Sequence, residues 1–191
     1  GPCSYINPSP SPTTVANLVL KLRLEAVASK KPNQFFTFKF TNLNPATNAP
    51  DYTFTGWYEA DNQGIYSPVN PGTAMSIVKS TYKICASHAT HLVKCVNSVD
   101  LTDPYITQFT FDMSTSELLA GNSINSGVST NVIDIFDYNN LVKNFNCKQD
   151  PYTQPAGKLC NSYASDFDFD TDIDIFDYNY FAGNFGVKGD L

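Results

Sequence analysis

Asp166-Phe-Asp-Phe-Asp-Thr-Asp-Ile-Asp-Ile-Phe-Asp177 is the stretch that decides how this chain is read. Taking Asp166 as position 1 places Asp168 at 3, Asp170 at 5, Asp172 at 7, Asp174 at 9 and Asp177 at 12. A hard cation of calcium's size takes six to eight oxygens at about 2.3–2.6 Å, and a twelve-residue loop supplies them from those positions. Alternate side chains at 1, 3 and 5 turn inward as the chain wraps the ion. Position 7 offers its backbone carbonyl, so the Asp172 carboxylate is expected to face solvent. Position 12 closes the sphere from the first turn of a helix. Asp166, Asp168, Asp170, Asp172, Asp174 and Asp177 are therefore the candidate metal residues, with Ca2+ as the ion. Six carboxylates in twelve residues repel one another, so the loop is expected to fold on binding. Magnesium keeps its waters and fits such a cage poorly. Thr171 stands at position 6, where Gly makes the sharp turn easy, and the turn is expected to carry strain.

Working outward, Ile133 to Asn139 reads IDIFDYN, and Ile173 to Asn179 reads IDIFDYN again. An internal repeat of this kind marks a duplicated structural unit. Asn144-Phe145 matches Asn184-Phe185. Apolar spacing after each copy is helical: Tyr178, Phe181 and Phe185 fall on one face, as do Tyr138, Leu141 and Phe145. Asn146 and Gly186 are candidate left-handed caps. Ile173, at position 8, is expected to pair with Ile133. The first copy lacks the full ligand set. Counting back from Asp137 puts Ser126, Val128 and Thr130 at positions 1, 3 and 5, and Val128 has no side-chain oxygen. A loop enlarged by four residues and starting at Asn122 is the alternative; Asp134 and Asp137 survive in both. The preferred reading of this first loop is a degenerate one, held by its own hydrogen bonds, with a second calcium around 122–137 as the lesser alternative.

Upstream the texture is different. Leu18, Leu20, Leu22 and Leu24 alternate with polar or smaller residues, and Phe36, Phe38 and Phe40 do the same, which is the period of half-buried strands. Further runs at Tyr52–Glu59, Thr81–Ala86, Leu92–Val96 and Tyr105–Asp112, separated by Asn44-Pro45, Asn62-Gln63-Gly64, Asn70-Pro71-Gly72 and Asp103-Pro104, predict about seven strands in an antiparallel sandwich. His88 and His91 are expected as polar loop residues of one hairpin. The fold class is α+β by modules. Residues 1–15 form a tag scar (Gly1-Pro2) and a Pro/Ser-rich linker. Residues 16–114 are an Ig-like β-sandwich, and residues 115–191 a small helical calcium-binding unit, with Ser114 to Glu117 a cap or link between the two.

Composition narrows the function. Charged residues are 16% of the chain, net charge is -6, and there are 14 Phe and 11 Tyr. Clustered cations for phosphate contacts are absent, so nucleic acid is not an expected partner. No apolar run approaches the ~20 residues of a membrane span. Five cysteines suggest Cys85–Cys95 and Cys147–Cys160 bridges with Cys3 left over, and so an exported or cell-surface protein.

Two loop–helix units with ligands at 1, 3, 5, 9 and 12 and no entering helix resemble a dockerin over Leu118 to Val187. The sandwich before them resembles the Ig-like X-modules that often precede dockerins. The resemblance implies docking onto a cohesin through positions 10, 11, 18 and 19. These are Ile175, Phe176, Gly183 and Asn184 in the second copy, and Ile135, Phe136, Lys143 and Asn144 in the first. Phe176 and Tyr180 also form an apolar face away from the predicted core stripe, and such a face needs a partner, either another protein or the chain's own sandwich. The leading expectation is a non-catalytic, calcium-dependent docking module. The alternative is a carbohydrate-binding sandwich using Trp57, Tyr58, Tyr66 and Tyr82, with a purely structural calcium unit. No nucleophile–base pair or phosphate loop is apparent, so an enzyme is not expected.

Overall fold

A computed structural model describes residues 14–69, 75–123, 131–148 and 163–190. Eight strands form the first part: β1 (Val15–Leu24), β2 (Gln34–Asn42), β3 (Tyr52–Ala60), β4 (Ile65–Pro68), β5 (Met75–Val78), β6 (Thr81–His88), β7 (His91–Asp100) and β8 (Gln108–Leu118). Leu18, Leu20, Leu22 and Leu24 of β1 and Phe36, Phe38 and Phe40 of β2 are all buried, as their alternation requires. They meet Tyr58, Tyr66, Tyr82 and Ile84 in one core. The burial of these three tyrosines removes them as sugar platforms and leaves Trp57 exposed.

The sheet runs β5-β1-β4-β3-β2-β6-β7, with β8 on the other edge of β1. One half of β1 pairs with β5 and the other half with β4. All pairs are antiparallel except β1 with β8, which run parallel from Asn17↔Gln108 onward. The sandwich is thus mostly rather than wholly antiparallel. Strands so distant in sequence are not joined by a hairpin, and no local turn sets their direction. A bridge from His91 to Ala120 and a bond from Leu92 N–H to the Leu119 carbonyl (2.8 Å) bring β7 against the continuation of β8. Ser114 to Glu117, expected as a cap or link, are strand residues, and Leu118 is part of the sandwich core. At the β3–β4 turn Asp61 Oδ1 accepts from the N–H groups of Gln63 and Ile65. Gly64 sits there at φ +77°, where a Cβ would lie 2.1 Å from the Val27 carbonyl oxygen.

Cys85 and Cys95 face each other across β6 and β7 and form a disulfide. Cys147 is buried, and the Cys147–Cys160 pairing, like Cys3, lies outside the described residues. Closing a ten-residue separation restricts the unfolded chain, which the loop-closure model values at about 3 kcal/mol. Cys85→Ala with Cys95→Ala should lower stability by about that amount in chemical denaturation; an unchanged midpoint would contradict this.

The second part contains two short helices, α1 (Ile135–Asn144) and α2 (Ile175–Asn184), and two two-residue strands, β9 (Cys147–Lys148) and β10 (Asp172–Ile173). The repeats fold alike. Asp134 and Asp174 each cap a helix in a capping box completed by Asp137 and Asp177. Asn146 and Gly186 follow the helices at φ +62° and +83°. Pairing then runs crosswise: Asn146 N–H donates to the Ile173 carbonyl and Gly186 N–H to the Ile133 carbonyl, both at 2.8 Å. Each unit is therefore closed by the backbone that follows the other unit's helix. Ile133 and Ile173 are both fully buried.

A second core of Leu92, Ala120, Ile133, Leu141, Phe167 and Phe181 joins the helices to the β7–β8 end of the sandwich. The buried stripe of each helix is not the one its apolar spacing predicts. It is Asp137, Leu141 and Asn144 in α1, and Asp177, Phe181 and Asn184 in α2. Tyr138, Tyr178 and Phe185, read as core, are 37%, 38% and 54% exposed.

Candidate metal centre

Asp177 organises the acidic loop. Its Oδ1 accepts from Phe167 N–H (2.6 Å) and its Oδ2 from Asp174 N–H (2.9 Å). Those bonds fold residues 166–174 back over the start of α2. Asp166 Oδ1 and Oδ2 accept from Asp170 and Thr171 N–H, each at 3.2 Å. Phe169 and Thr171 adopt φ of +54° and +80°, a region that is costly for a β-branched or bulky residue. The missing Gly at position 6 is thus felt as backbone strain, partly offset by the Asp166 bond.

Carboxylate oxygens of Asp166, Asp168 and Asp177 lie within 4.8 Å of one another, as do those of Asp172, Asp174 and Asp177. Asp177 belongs to both groups. Asp170 belongs to neither; it is exposed, and its Oδ1 accepts from Asp172 N–H. Asp172, expected to face solvent, instead points one oxygen at Lys148 (3.2 Å) and has its other oxygen buried without a hydrogen-bond partner. Burial pushes the Asp166 and Asp177 carboxyls up to about 7, with Asp168 raising Asp166 further; Asp168 is itself raised by burial and by Asp170. Hard, close, partly dehydrated oxygens of one sign are the donor set that suits a calcium-sized cation. Asp166, Asp168 and Asp177, or Asp172, Asp174 and Asp177, could each offer such a donor set.

The first loop has the same frame. Asp137 Oδ1 accepts from Ser123 N–H (2.8 Å) and Oδ2 from Asp134 N–H (2.8 Å). Ser123 therefore stands where Phe167 stands in the second loop, and Asn122 corresponds to Asp166. This match is the one given by counting from Asn122; Ser126 lies outside the described residues. Residues 124–130 lie outside the described residues. The carboxamide of Asn122 replaces a carboxylate, and Ser123 Oγ adds a contact of 3.2 Å to Asp137.

Of the residues expected on a docking face, Ile135, Phe136, Ile175 and Phe176 are 52%, 62%, 52% and 59% exposed. Lys143 and Gly183 are exposed as well. The other three are corrected. Asn184 is buried, and its Nδ2 donates to Glu25 and to the Ala120 carbonyl. Asn144 is buried, with Nδ2 bonded to the Asn140 carbonyl. Tyr180 is half-buried against the second core. Asn side chains reach inward because they satisfy backbone groups there, and apolar spacing carries no trace of that.

The two histidines are also corrected. His91 is fully buried. Its Nε2 faces the Glu25 carbonyl (3.1 Å), which can only accept, so Nε2 carries the proton and Nδ1 accepts from Thr90 Oγ1 (2.8 Å). Burial holds it down to about 4, and pushes His88 well below the usual imidazole range, so both are neutral. Phe169 of the acidic loop packs against both rings, at centroid distances of 5.6 and 6.0 Å. Nothing in the sequence pattern marks Phe169 for this packing.

No family model and no curated protein matches the chain. Among solved structures, the chain is similar to a chain in the crystal structure of a C-terminal interface mutant of the type II cohesin–X–dockerin complex from Acetivibrio cellulolyticus. The TM-score is 0.57 at 15% identity, covering 91% of this chain and 97% of that one. An N-terminal interface mutant of the same complex aligns at TM-score 0.50 and 15% identity, over 92% and 96% of the two chains. The likeness is one of fold, and it supports an X-module-type, Ig-like β-sandwich as the architecture to which the two short helices are attached.

Proposed function

We propose that this chain is a non-catalytic, calcium-dependent docking module of an exported or cell-surface protein. In this reading a dockerin-like pair of loop–helix units, seated on an X-module-type sandwich, binds a cohesin-type partner. The observation that carries it is the quartet Ile135, Phe136, Ile175 and Phe176: matched positions at the start of two equivalent helices, each more than half exposed. Four large apolar side chains left this exposed at matched positions are what a docking partner would cover. The chain's own sandwich does not cover it, because the helices turn Phe181, Asn184 and Tyr180 toward the sandwich instead. The solved complexes that share this fold are cohesin–X–dockerin assemblies, which supports the choice of partner. The Asp166, Asp168 and Asp177 carboxylates support the ion. The Cys85–Cys95 disulfide supports an oxidising compartment.

The test is calorimetry against a type II cohesin domain, in calcium and after metal stripping. Central aromatic anchors typically contribute about 2 kcal/mol or more each. Phe136→Ala with Phe176→Ala should therefore weaken binding by about 100-fold or more while thermal melting stays unchanged. Undiminished affinity in the double variant, or wild-type binding indifferent to calcium, would refute the reading.

A further inference from the structure

Docking through the helices leaves one exposed feature of the sandwich unexplained. Trp57, the single tryptophan of the chain, is 60% exposed on β3. Its cross-strand neighbour Phe35, 45% exposed, packs edge-on against it with ring centroids 5.5 Å apart. The pair helps to line a cleft of about 730 Å³ that Tyr163, Asp166 and Phe169 of the acidic-loop region also line. Gln34, Thr37 and Ser87 add amide and hydroxyl groups to the lining. Trp57 also lines a second depression of about 690 Å³.

The lining selects among ligand chemistries. No Lys or Arg lines the first cleft among the described residues, and the acidic loop helps to line it, so an anion has no counter-charge there. Gln34 is held by bonds to His88 (3.2 Å) and the Pro32 carbonyl (3.3 Å), and Ser87 Oγ donates to the Thr37 carbonyl (3.2 Å), so these groups are fixed in place with hydrogen-bonding capacity left over, which a ligand bearing hydroxyls can use and a purely apolar one cannot. A pyranose with equatorial substituents meets both demands, because its C–H face is flat and apolar while its rim is all hydroxyl. An exposed indole offers such a face a large stacking surface at small entropic cost. Two depressions that share Trp57 suit a chain of such units better than a single one.

We infer that this cleft binds a neutral oligosaccharide, with one sugar ring stacked on Trp57 and its hydroxyls met by Gln34, Thr37 and Ser87. The site is independent of the docking face, and each can fail without the other. The test uses the full chain in calcium, with Trp57 as its own reporter. Cellohexaose and xylohexaose, whose rings are equatorially substituted, should shift the tryptophan emission in a saturable way and give a matching calorimetric isotherm. Phe35→Ala should weaken binding several-fold with the emission change retained. Trp57→Ala should weaken it tenfold or more by calorimetry with far-UV circular dichroism unchanged, while Phe136→Ala with Phe176→Ala should leave it intact. Absence of a saturable response to both sugars at millimolar concentration overturns the inference. So does full affinity in Phe35→Ala and Trp57→Ala.

Discussion

Calcium added to metal-stripped protein should raise the unfolding free energy by about 4 kcal/mol once its free concentration exceeds the dissociation constant a thousandfold. Binding should couple to folding because of what the loop lacks without an ion. Asp166, Asp168 and Asp177 hold like charges within 4.8 Å in a half-dry setting, and Phe169 and Thr171 are in left-handed backbone. A divalent cation removes the repulsion and makes the strained turn worth keeping. The gain is not confined to the loop. Phe167, between two of the candidate ligands, is fully buried in the second core, and Phe169 packs on the sandwich core and on His88 and His91. Ordering the loop therefore seats two aromatic side chains that hold the helices to the sandwich. Asp177→Ala should lose the calcium response altogether. Asp137→Ala should destabilise, by loss of its bonds to Ser123 and Asp134, yet keep the response, because the first loop is not the one asked to hold the ion. Melting that is the same with and without chelator would end the calcium reading. A response that shrinks in Asp137→Ala with the protein still folded would show that the first loop binds as well.

Which parts of this arrangement could be read from the chain depends on whether the deciding interaction is local. The β1 and β2 alternations, the Asn62-Gln63-Gly64 turn and the Asn146 and Gly186 caps are set by residues a few positions apart, and each is found where the sequence puts it. Strands β4 and β5, of four residues each, are too short to show a period. The parallel β1–β8 pair and the extension of β8 to Leu118 are fixed by partners some ninety residues away, beyond any window of periodicity. The candidate ligands were legible because loop spacing is itself the signal. Their grouping was not: that Asp170 stays outside and Asp177 is shared depends on backbone folded back by the Phe167 and Asp174 N–H bonds. The first loop shows the same limit. The Ser123–Asp137 bond bears on its register, and that bond joins residues fourteen positions apart whose pairing no spacing rule announces.

The helix stripes give the sharpest separation between pattern and packing, and the second large effect. Apolar spacing assigns Phe181 and Phe185 to the same buried face. In the fold Phe181 is 3% exposed and Phe185 is 54% exposed. Phe181 lies in the second core and touches the Tyr138 ring of α1 at a centroid distance of 5.8 Å. Phe181→Ala should therefore cost about 3–5 kcal/mol, the sum of lost transfer energy and an unfilled cavity. Phe185 meets Phe181 edge-on at 5.5 Å with its other side in solvent, so Phe185→Ala should cost about 1 kcal/mol or less. Denaturant unfolding in saturating calcium measures both without interference from the ion. The reason for the difference is the identity of the inward neighbours. Asp177 and Asn184 occupy the buried stripe because each satisfies backbone donors or acceptors that would otherwise be stranded, and with them inside, the helix is turned so that Phe185 faces out. Equal costs at the two positions would mean that the helix is rotated from this setting. Both phenylalanines would then be core, and the exposed faces of Ile175 and Phe176 would have to be drawn again.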